Sequence, residues 1–499
     1  KPGQEVFCWN LWGRKYTMWA LLELSRVCGS QELLAAAVKM MDQEIAQLKA
    51  KGVKLENTGY FVGLPSMSVL KPLLLLAKET GKAAYLDFAD EIVAAWERQG
   101  NPAPNLVANA FGDKLVHEWY ANPKWWAKAY EMMSCLQGLL EYYRVTGEKK
   151  YLDAVVALQA NIAATERNQV GSIAYNDHFN DALHTPNAVT EPCDVVHWMR
   201  LNHDLYLITG DTRYVDEIEL SYYNAMLGAV TRDGTWGARC VRSHGRNWHD
   251  RTGQCELRYQ HCCINNMPRG FMDVAQTFVT ADRAGNLQVN LYSDCDVTIA
   301  GCKVAIRGNY PVDNKVTVAV TGLKPDQKVS FRKPSWCPNV KVEELKGEKV
   351  EKCAGATAYE LTFDMNPRVV DWKMDPVLDY DLEKRTYDRR VGQFTDYYRE
   401  MDMVKIMRSH PAATVQYGPL ILAKSKLVGA TREQVFDPFT ANLKGYKVSV
   451  ERIPSDRVWG AWTVTLEKDG DKHVYPAADL GSACDTVTPY TTDEYSIWF

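Results

Sequence analysis

The sequence predicts a multidomain α + β chain: an (α/α) barrel of the (α/α)6 kind, followed by one or two β-sandwich domains. Three observations predict it. Amphipathic segments with apolar residues at three- and four-residue steps fill the first half. A Thr-Gly turn recurs between those segments, and near Asn286 the pattern changes to short alternating runs.

The turn has the form Thr-Gly-x-x-x-Tyr-Leu/Val-Asp. It occurs at Thr80-Gly81 with Tyr85, at Thr146-Gly147 with Tyr151, and at Thr209-Gly210 with Tyr214, so the glycines lie 66 and 63 residues apart. A degenerate copy stands at Cys28-Gly29. Each turn follows an amphipathic segment such as AYEMMSCLQGLLEYYRV and precedes another such as YLDFADEIVAAWE. Glycine after a last helical turn is the usual stop, because it adopts a left-handed conformation cheaply. The unit is therefore helix, tight turn, helix. Hairpins of this kind bury their apolar faces only by stacking. Long, variable links between them favour a closed toroid, with an open solenoid as the structural alternative.

Beyond residue 285, LQVNLYSDCDVTIAGCKVAI, KVTVAVTGL, KVSFRKPSW, VKVEEL and TAYELTF read as strands between turn residues. ATVQYGPLILAKS, YKVSVERI and WTVTLEKD continue the series. The domains read as 1–285 for the barrel, 286–425 for a β-sandwich, and 426–499 for a second sandwich or the completion of the first. Residues 371–408, rich in charge and tyrosine, read as an insertion or a long connection.

A net charge of −4 and a pI near 6.3 offer no basic surface for nucleic acid or an anionic membrane. No apolar run approaches the ~20 residues of a membrane span. The longest, 69–77, is interrupted by Lys71 and Pro72. The chain opens on Lys1 and reads as helix from Phe7, so an upstream segment is expected.

Thirteen cysteines, an odd number without the spacing of a small disulfide framework, suggest mostly free thiols. Cys262 and Cys263 are adjacent in QCELRYQHCCINN, with Cys255 before them and Arg269 behind. Adjacent cysteines rarely bond to each other, because the ring they close is strained. Either both are small core hydrophobes or both point at one metal ion. Upstream, Glu191 and Cys193 stand where the chain enters the helix DVVHWMRLNHDLYLI, so both can face one point. The four make a Cys3Glu set, which suits Zn2+ in tetrahedral array. The plainer readings are a helix N-terminal acid for Glu191 and core packing for Cys193.

On these residues the chain resembles glycoside hydrolase family 127, the β-L-arabinofuranosidases and their relatives. The family's Glu-x-Cys motif and the turn that ends its following helix match Glu191-Pro192-Cys193 and Gly210-Asp211 through Asp216. Tyr223-Asn224 and Asp233-Gly234 match next. Cys262-Cys263, Asn266 and Arg269 match a Cys-Cys-x-x-Asn-x-x-x-Arg motif, with Asn266 one place nearer to Arg269 than in the commonest spacing. Val289-Asn290-Leu291-Tyr292, FRKPSW at 331–336 and Tyr417-Gly418-Pro419-Leu420 resemble strand motifs of its β-sandwiches.

The resemblance implies Zn2+ held by Glu191, Cys193, Cys262 and Cys263, an oligosaccharide substrate, and Cys262 as the nucleophile of a retaining glycosidase. A thiolate is the reactive form of cysteine, and the two-step retaining scheme accepts sulfur in place of a carboxylate. With Pro186-Asn187 aligned to the family, Asp177 falls on the glutamate that serves as general acid/base, with Asp181 and His178 in reserve. The expected location is the bacterial periplasm or another exported site, with the cytoplasm as the alternative.

The pocket histidines of the furanosidases are replaced here, by Asn10, by Leu64, and near Met133-Ser134. Changed hydrogen-bond partners change the sugar that fits. Arg14 and Lys15 offer a cation for a carboxylated sugar, such as the aceric acid of plant pectin. Trp12, between Trp9 and Trp19, either stacks on a sugar or packs in the core. Asn10, Trp12 and Arg14 are thus candidate substrate contacts, and the expected substrate is a pectin or arabinose-containing cell-wall glycan with an acidic or branched sugar. The alternatives are a non-catalytic carbohydrate-binding relative with a structural zinc, or another (α/α)-barrel sugar enzyme such as an epimerase or uronyl hydrolase. Enzymes of the latter kind use His or Asp, so the Cys3Glu set counts against them.

Overall fold

The structure is a computed structural model. It describes residues 3–98, 105–119, 128–174, 177–179, 181–184, 190–231, 234, 237, 244–246, 262–346, 356–372, 412–436, 443–484 and 494–499. Cys255, Asp233, Asn176, Pro186-Asn187 and most of the 371–408 segment lie outside the described residues. The chain forms two compact units, Lys1–Arg167 with Ile173–Ala182, and Asn168–Ser172 with Leu183–Phe499.

The first unit is helical: α1 (Cys8–Cys28), α2 (Gln31–Lys51), α3 (Leu64–Met67), α4 (Leu70–Thr80), α5 (Ala83–Glu97), α6 (Leu106–Asn109), α7 (Ala129–Thr146) and α8 (Lys149–Thr165). The predicted stops are where the sequence puts them. Gly29, Gly81 and Gly147 close α1, α4 and α7 in the left-handed region at φ 67°, 67° and 74°. The threonine before the glycine also has a physical reason. Thr80 Oγ1 donates to the Leu76 carbonyl (2.8 Å) and accepts from the Lys82 amide (3.4 Å). Thr146 repeats this with Tyr142 (2.9 Å) and Glu148 (3.2 Å). One hydroxyl thus satisfies a terminal carbonyl of one helix and an orphan amide at the start of the next. The motif tyrosines are buried: Tyr85 donates to Asp42 Oδ1 (2.7 Å) and Tyr151 to Glu97 Oε1 (3.1 Å), each tying a new helix to an earlier one.

Helix α7 is the centre of this unit, buried from Ala129 to Tyr142. It approaches α4 closely at Gly138, where a Cβ would lie 2.8 Å from Leu70 Cβ. Among the described residues, Phe61–Thr80 is long and apolar enough to cross a membrane, which the shorter 69–77 window did not reveal; most of it is buried within the protein.

Glu44, on the face of α2 that also buries Ala37, Met41 and Leu48, is 2% exposed, and its Oε1 has no hydrogen-bond partner among the described residues. Burial pushes its carboxyl up to about 8, against a smaller pull from Arg14. Between the ordinary value of 4.5 and about 8 the folded chain therefore holds a proton that the unfolded chain has lost. Stability falls as pH rises through that window, by on the order of 3 kcal/mol between pH 4.5 and 7. Glu44→Gln is expected to flatten this slope. Urea midpoints at pH 5 and 7.5 check it: parallel shifts in wild type and variant would show that Glu44 does not titrate in the window.

The second unit begins with α9 (Pro192–Thr209) and α10 (Arg213–Leu220), joined at Gly210 (φ 72°) by the third copy of the turn, with Thr209 bonded as its counterparts are. Six π-helical residues, Ser221–Met226, follow. Helix α11 (Cys262–Phe278) packs along α9. At Gly270 a Cβ would come 2.7 Å from Met226 Cε and Val196 Cγ2, so the absence of a side chain lets the two helices meet there.

The strands are β1 (His244–Arg246), β2 (Val279–Ala281), β3 (Leu287–Val289), β4 (Cys295–Ile299), β5 (Cys302–Arg307), β6 (Lys315–Thr321), β7 (Val329–Phe331) and β8 (Val340–Leu345). They continue as β9 (Thr357–Phe363), β10 (Pro367–Trp372), β11 (Ala412–Tyr417), β12 (Leu420–Ser425), β13 (Lys447–Arg452), β14 (Ala461–Lys468), β15 (Asp471–Asp479) and β16 (Glu494–Ser496). One sheet runs β4-β5-β6-β9-β8, a second β2-β3-β7, and a third β1-β16-β12-β15-β14-β13 with β10-β11 attached to β12. A helical first part followed by a sheet-rich part is the class read from the sequence. Strand β15 was not read, because Pro476 interrupts its pattern. Its pairing with β12 covers only Ala477–Asp479, so Pro476 lies past the stretch where that edge needs an amide.

Three motifs read as strand signatures are buried polar locks within this unit. Asn290 donates to the Thr277 carbonyl (3.0 Å) and accepts from the Tyr206 hydroxyl (3.0 Å), fixing β3 to α9 and α11. Asn224 Nδ2 donates to the Pro419 carbonyl (2.9 Å) and its Oδ1 accepts from the Ile421 amide (2.8 Å), so Tyr223-Asn224 and Tyr417-Gly418-Pro419-Leu420 form one junction. Arg332, fully buried, pairs with Glu219 Oε1 (2.6 Å) and with Asp216, and donates to the Asn290 carbonyl (2.6 Å). Tyr310 (2.7 Å) and Trp336 (2.9 Å) also donate to Glu219.

Candidate metal centre and active-site residues

Two elements of the second unit supply the cysteine set. Glu191 is the N-cap of α9, in extended conformation, and Pro192 at the first helical position fixes the entry of the chain. Cys193 follows in the first turn. Cys262 and Cys263 open α11, and the tight α9–α11 approach at Gly270 brings the two helix starts together. The ligand atoms of Glu191, Cys193, Cys262 and Cys263 all lie within 4.8 Å of one another. Cys262 Sγ is 3.8 Å from Cys263 Sγ, and Cys263 Sγ is 3.3 Å from Glu191 Oε2. Tetrahedral zinc with ordinary Zn–S and Zn–O lengths implies S···S edges of about 3.8 Å and S···O edges of about 3.5 Å. The donor set therefore fits that ion in type and spacing.

Burial differs among the four. Cys193 (3% exposed), Cys263 (0%) and Glu191 (9%) are enclosed, whereas Cys262 is exposed. Burial, then the neighbouring Cys262, pushes the Cys193 thiol well up. Hydrogen bonding with Cys193 and Cys262, then burial, does the same to Cys263. A set whose burial and mutual crowding both resist ionisation is one that a shared dication relieves.

The family profile described as Beta-L-arabinofuranosidase, GH127 catalytic domain, matches residues 4–276, more than half of the chain. The chain belongs to the GH127 family. It is thus a glycoside hydrolase of the arabinofuranosidase type. Among solved structures it is similar to the GH127 β-L-arabinofuranosidase of Geobacillus stearothermophilus T6, at 16% identity and TM-score 0.62, over 100% of this chain and 81% of that one. A glycoside hydrolase (14% identity, TM-score 0.64) is matched over 98% and 83% of the two chains. A GH127 β-arabinofuranosidase (15%, TM-score 0.53) is matched over 99% and 88%. At these identities the likeness shows the fold. No curated protein matches.

The other residues singled out in this GH127 chain lie in the first unit. Asp177 pairs with Lys128, whose ammonium is also 3.7 Å from Glu131 Oε2. The Asp177 carbonyl accepts from the Ala129 amide (3.0 Å), and Lys128 and His178 form a β-bridge, so the loop is stapled to the start of α7. Asp177 Oδ1 is buried with no hydrogen-bond partner among the described residues. Glu166, fully buried, accepts from the amides of Asp181 (2.8 Å) and Ala182 (3.1 Å) and lies 3.3 Å from His117 Nδ1. Burial works against a charge on His117, but Glu166 outweighs it and raises the imidazole above its ordinary range. Phe61 (φ 56°), Val62 (47°), Ala174 (67°), Asp177 (62°) and Asp181 (56°) all hold left-handed backbone without being glycine. Such strain gathers where function over-determines the backbone.

Asn10 Nδ2 donates to the Gln4 carbonyl (2.8 Å), and Arg14 donates to Gln47 Oε1 (2.6 Å). Trp12 stands edge-on to Tyr16 (5.2 Å) and Tyr130 (5.5 Å), and the Lys15 ammonium lies 3.8 Å from the centre of its ring. Lys15, not Arg14, is the buried cation of α1: it is 1% exposed and bonded to Ser68 (2.9 Å) and Ser134 (3.0 Å). Ser134 stands near one of the replaced histidines. Lys128, Glu131 and Glu166 were missed from sequence, because an ion pair between residues 49 apart leaves no local pattern.

Proposed function

We propose that this GH127 chain is a retaining glycosidase in which Cys262 is the nucleophile and Glu191, Cys193, Cys262 and Cys263 hold Zn2+. The single observation that carries the reading is the convergence of these four ligand atoms within 4.8 Å, with Cys262 alone among the three cysteines exposed. Zinc, when bound, keeps the sulfurs as thiolates at neutral pH. The Cys262 sulfur attacks the anomeric carbon, forming a C–S bond while the glycosidic C–O bond breaks. Asp177 gives a proton to the leaving oxygen. Water then attacks the same carbon, returns the bonding pair to sulfur and loses its proton to Asp177, so configuration is retained. The ion pair with Lys128, together with the Ala129 amide on the Asp177 carbonyl, holds this residue at the start of α7.

The proposed substrate is a pectin or arabinose-containing cell-wall oligosaccharide with an acidic or branched sugar. Asn10, Trp12 and Arg14 are its proposed contacts on α1. Support comes from the half-buried aromatic faces along that helix and from the Arg14 guanidinium beside them, although Asn10 and Arg14 would add to or exchange their present bonds. A panel of neutral and carboxylated side-chain oligosaccharides, followed by NMR of the first-formed anomer, tests the proposal. The expected product keeps the substrate's anomeric configuration. An inverted first product rules out the cysteine route.

A further inference from the structure

Asn266 stands one turn into α11 and is 6% exposed. Its Nδ2 donates to the Cys262 carbonyl (3.0 Å) and reaches Cys193 Sγ (3.5 Å), while its Oδ1 accepts from Arg269 NH1 (3.2 Å). These partners fix which way the amide points. A carbonyl only accepts and a guanidinium only donates, so the nitrogen must face the sulfur. Were the amide turned over, its oxygen would face a thiolate and its nitrogen a cation.

Four anionic ligands around a dication leave excess negative charge in a partly buried site. An N–H pointed at one sulfur offsets part of it and holds that ligand in place, in the way that outer partners orient metal ligands generally. We infer that Asn266 is a positioning residue for the Cys193 ligand, and that Arg269 acts through it by locking the amide with its N–H toward the sulfur. This rests on the zinc reading above. The pair divides the labour among the sulfurs: Cys193 is fixed from behind by a donor, and the exposed Cys262 is the one that reacts.

The test uses the full chain loaded with zinc or with Co2+, and no activity measurement. Zinc affinity, by chelator competition, is expected to fall 10- to 100-fold in Asn266→Ala. Asn266→Asp keeps the size but presents only oxygens, so it should lose at least as much. Arg269→Ala should lose affinity as well, and the double variant Asn266→Ala with Arg269→Ala should be no weaker than Asn266→Ala alone, because both changes remove one hydrogen bond. The sulfur-to-cobalt charge-transfer band should shift in Asn266→Asp, which a purely structural role for Asn266 would not cause. Should the Ala variant not fold, the Asp variant decides. Wild-type affinity and an unmoved band in Asn266→Asp overturn the inference, as do additive losses in the double variant. A wild-type chain that binds no zinc is a different result: it removes the zinc reading itself.

Discussion

Cys262→Ser is expected to abolish turnover, lowering it by on the order of a thousandfold or more, while the fold remains. Serine has nearly the volume of cysteine, and position 262 is exposed, so no cavity forms. The hydroxyl stays protonated at neutral pH where a metal-held thiol does not, so the attacking pair of electrons is lost. Zinc is still offered Glu191, Cys193 and Cys263, so affinity should drop but saturation should be reachable with excess metal. Cys263→Ser is the informative contrast. That sulfur is buried beside Glu191, so its loss should weaken the metal more than it impairs attack at the anomeric carbon. Turnover by metal-saturated Cys262→Ser at near the wild-type rate would sink the nucleophile assignment and leave zinc in a structural role.

Arg332→Met should destabilise the second unit by about 3–5 kcal/mol, the usual result of deleting one partner of a buried charge pair. The guanidinium is fully buried and faces Asp216 and Glu219, both on α10. With Arg332 gone, Glu219 keeps the donors Tyr310 and Trp336 but loses the only cation seen against it among the described residues. Adding Glu219→Gln should recover part of the loss by removing the stranded charge. Chemical denaturation of the two variants checks both statements. A single variant as stable as wild type would mean that the pair costs as much in desolvation as it returns.

Much of this architecture was legible in the sequence, for reasons that can be named. Gly29, Gly81, Gly147 and Gly210 are legible because a left-handed residue after a helix nearly demands glycine, and the Thr before three of them makes hydrogen bonds that recur at each hairpin. The convergence of Glu191, Cys193, Cys262 and Cys263 was legible by residue type and by family resemblance, not by spacing, since Cys193 and Cys262 are far apart in the chain. What stayed hidden depends on pairs that meet only after folding. Lys128 with Asp177 and Glu166 with the 181–182 amides are of this kind. Asn266 enters the sequence reading only as a motif letter, and its bond to Cys193 is visible only in the fold. The sequence offers Lys15 beside Arg14 as a cation for a carboxylated sugar, but helical spacing puts it on the inward face with Leu11 and Met18.

The four ligands come from the starts of two helices separated by about seventy residues of chain. An ion bound there is therefore also a cross-link. It closes a long loop, much as a disulfide does, and by that analogy withdraws about 4 kcal/mol of freedom from the unfolded chain. Catalysis and the cohesion of α9 with α11 would then draw on the same bonds, so the chain could not shed its cation between turnovers without loosening the scaffold that aims the sulfur.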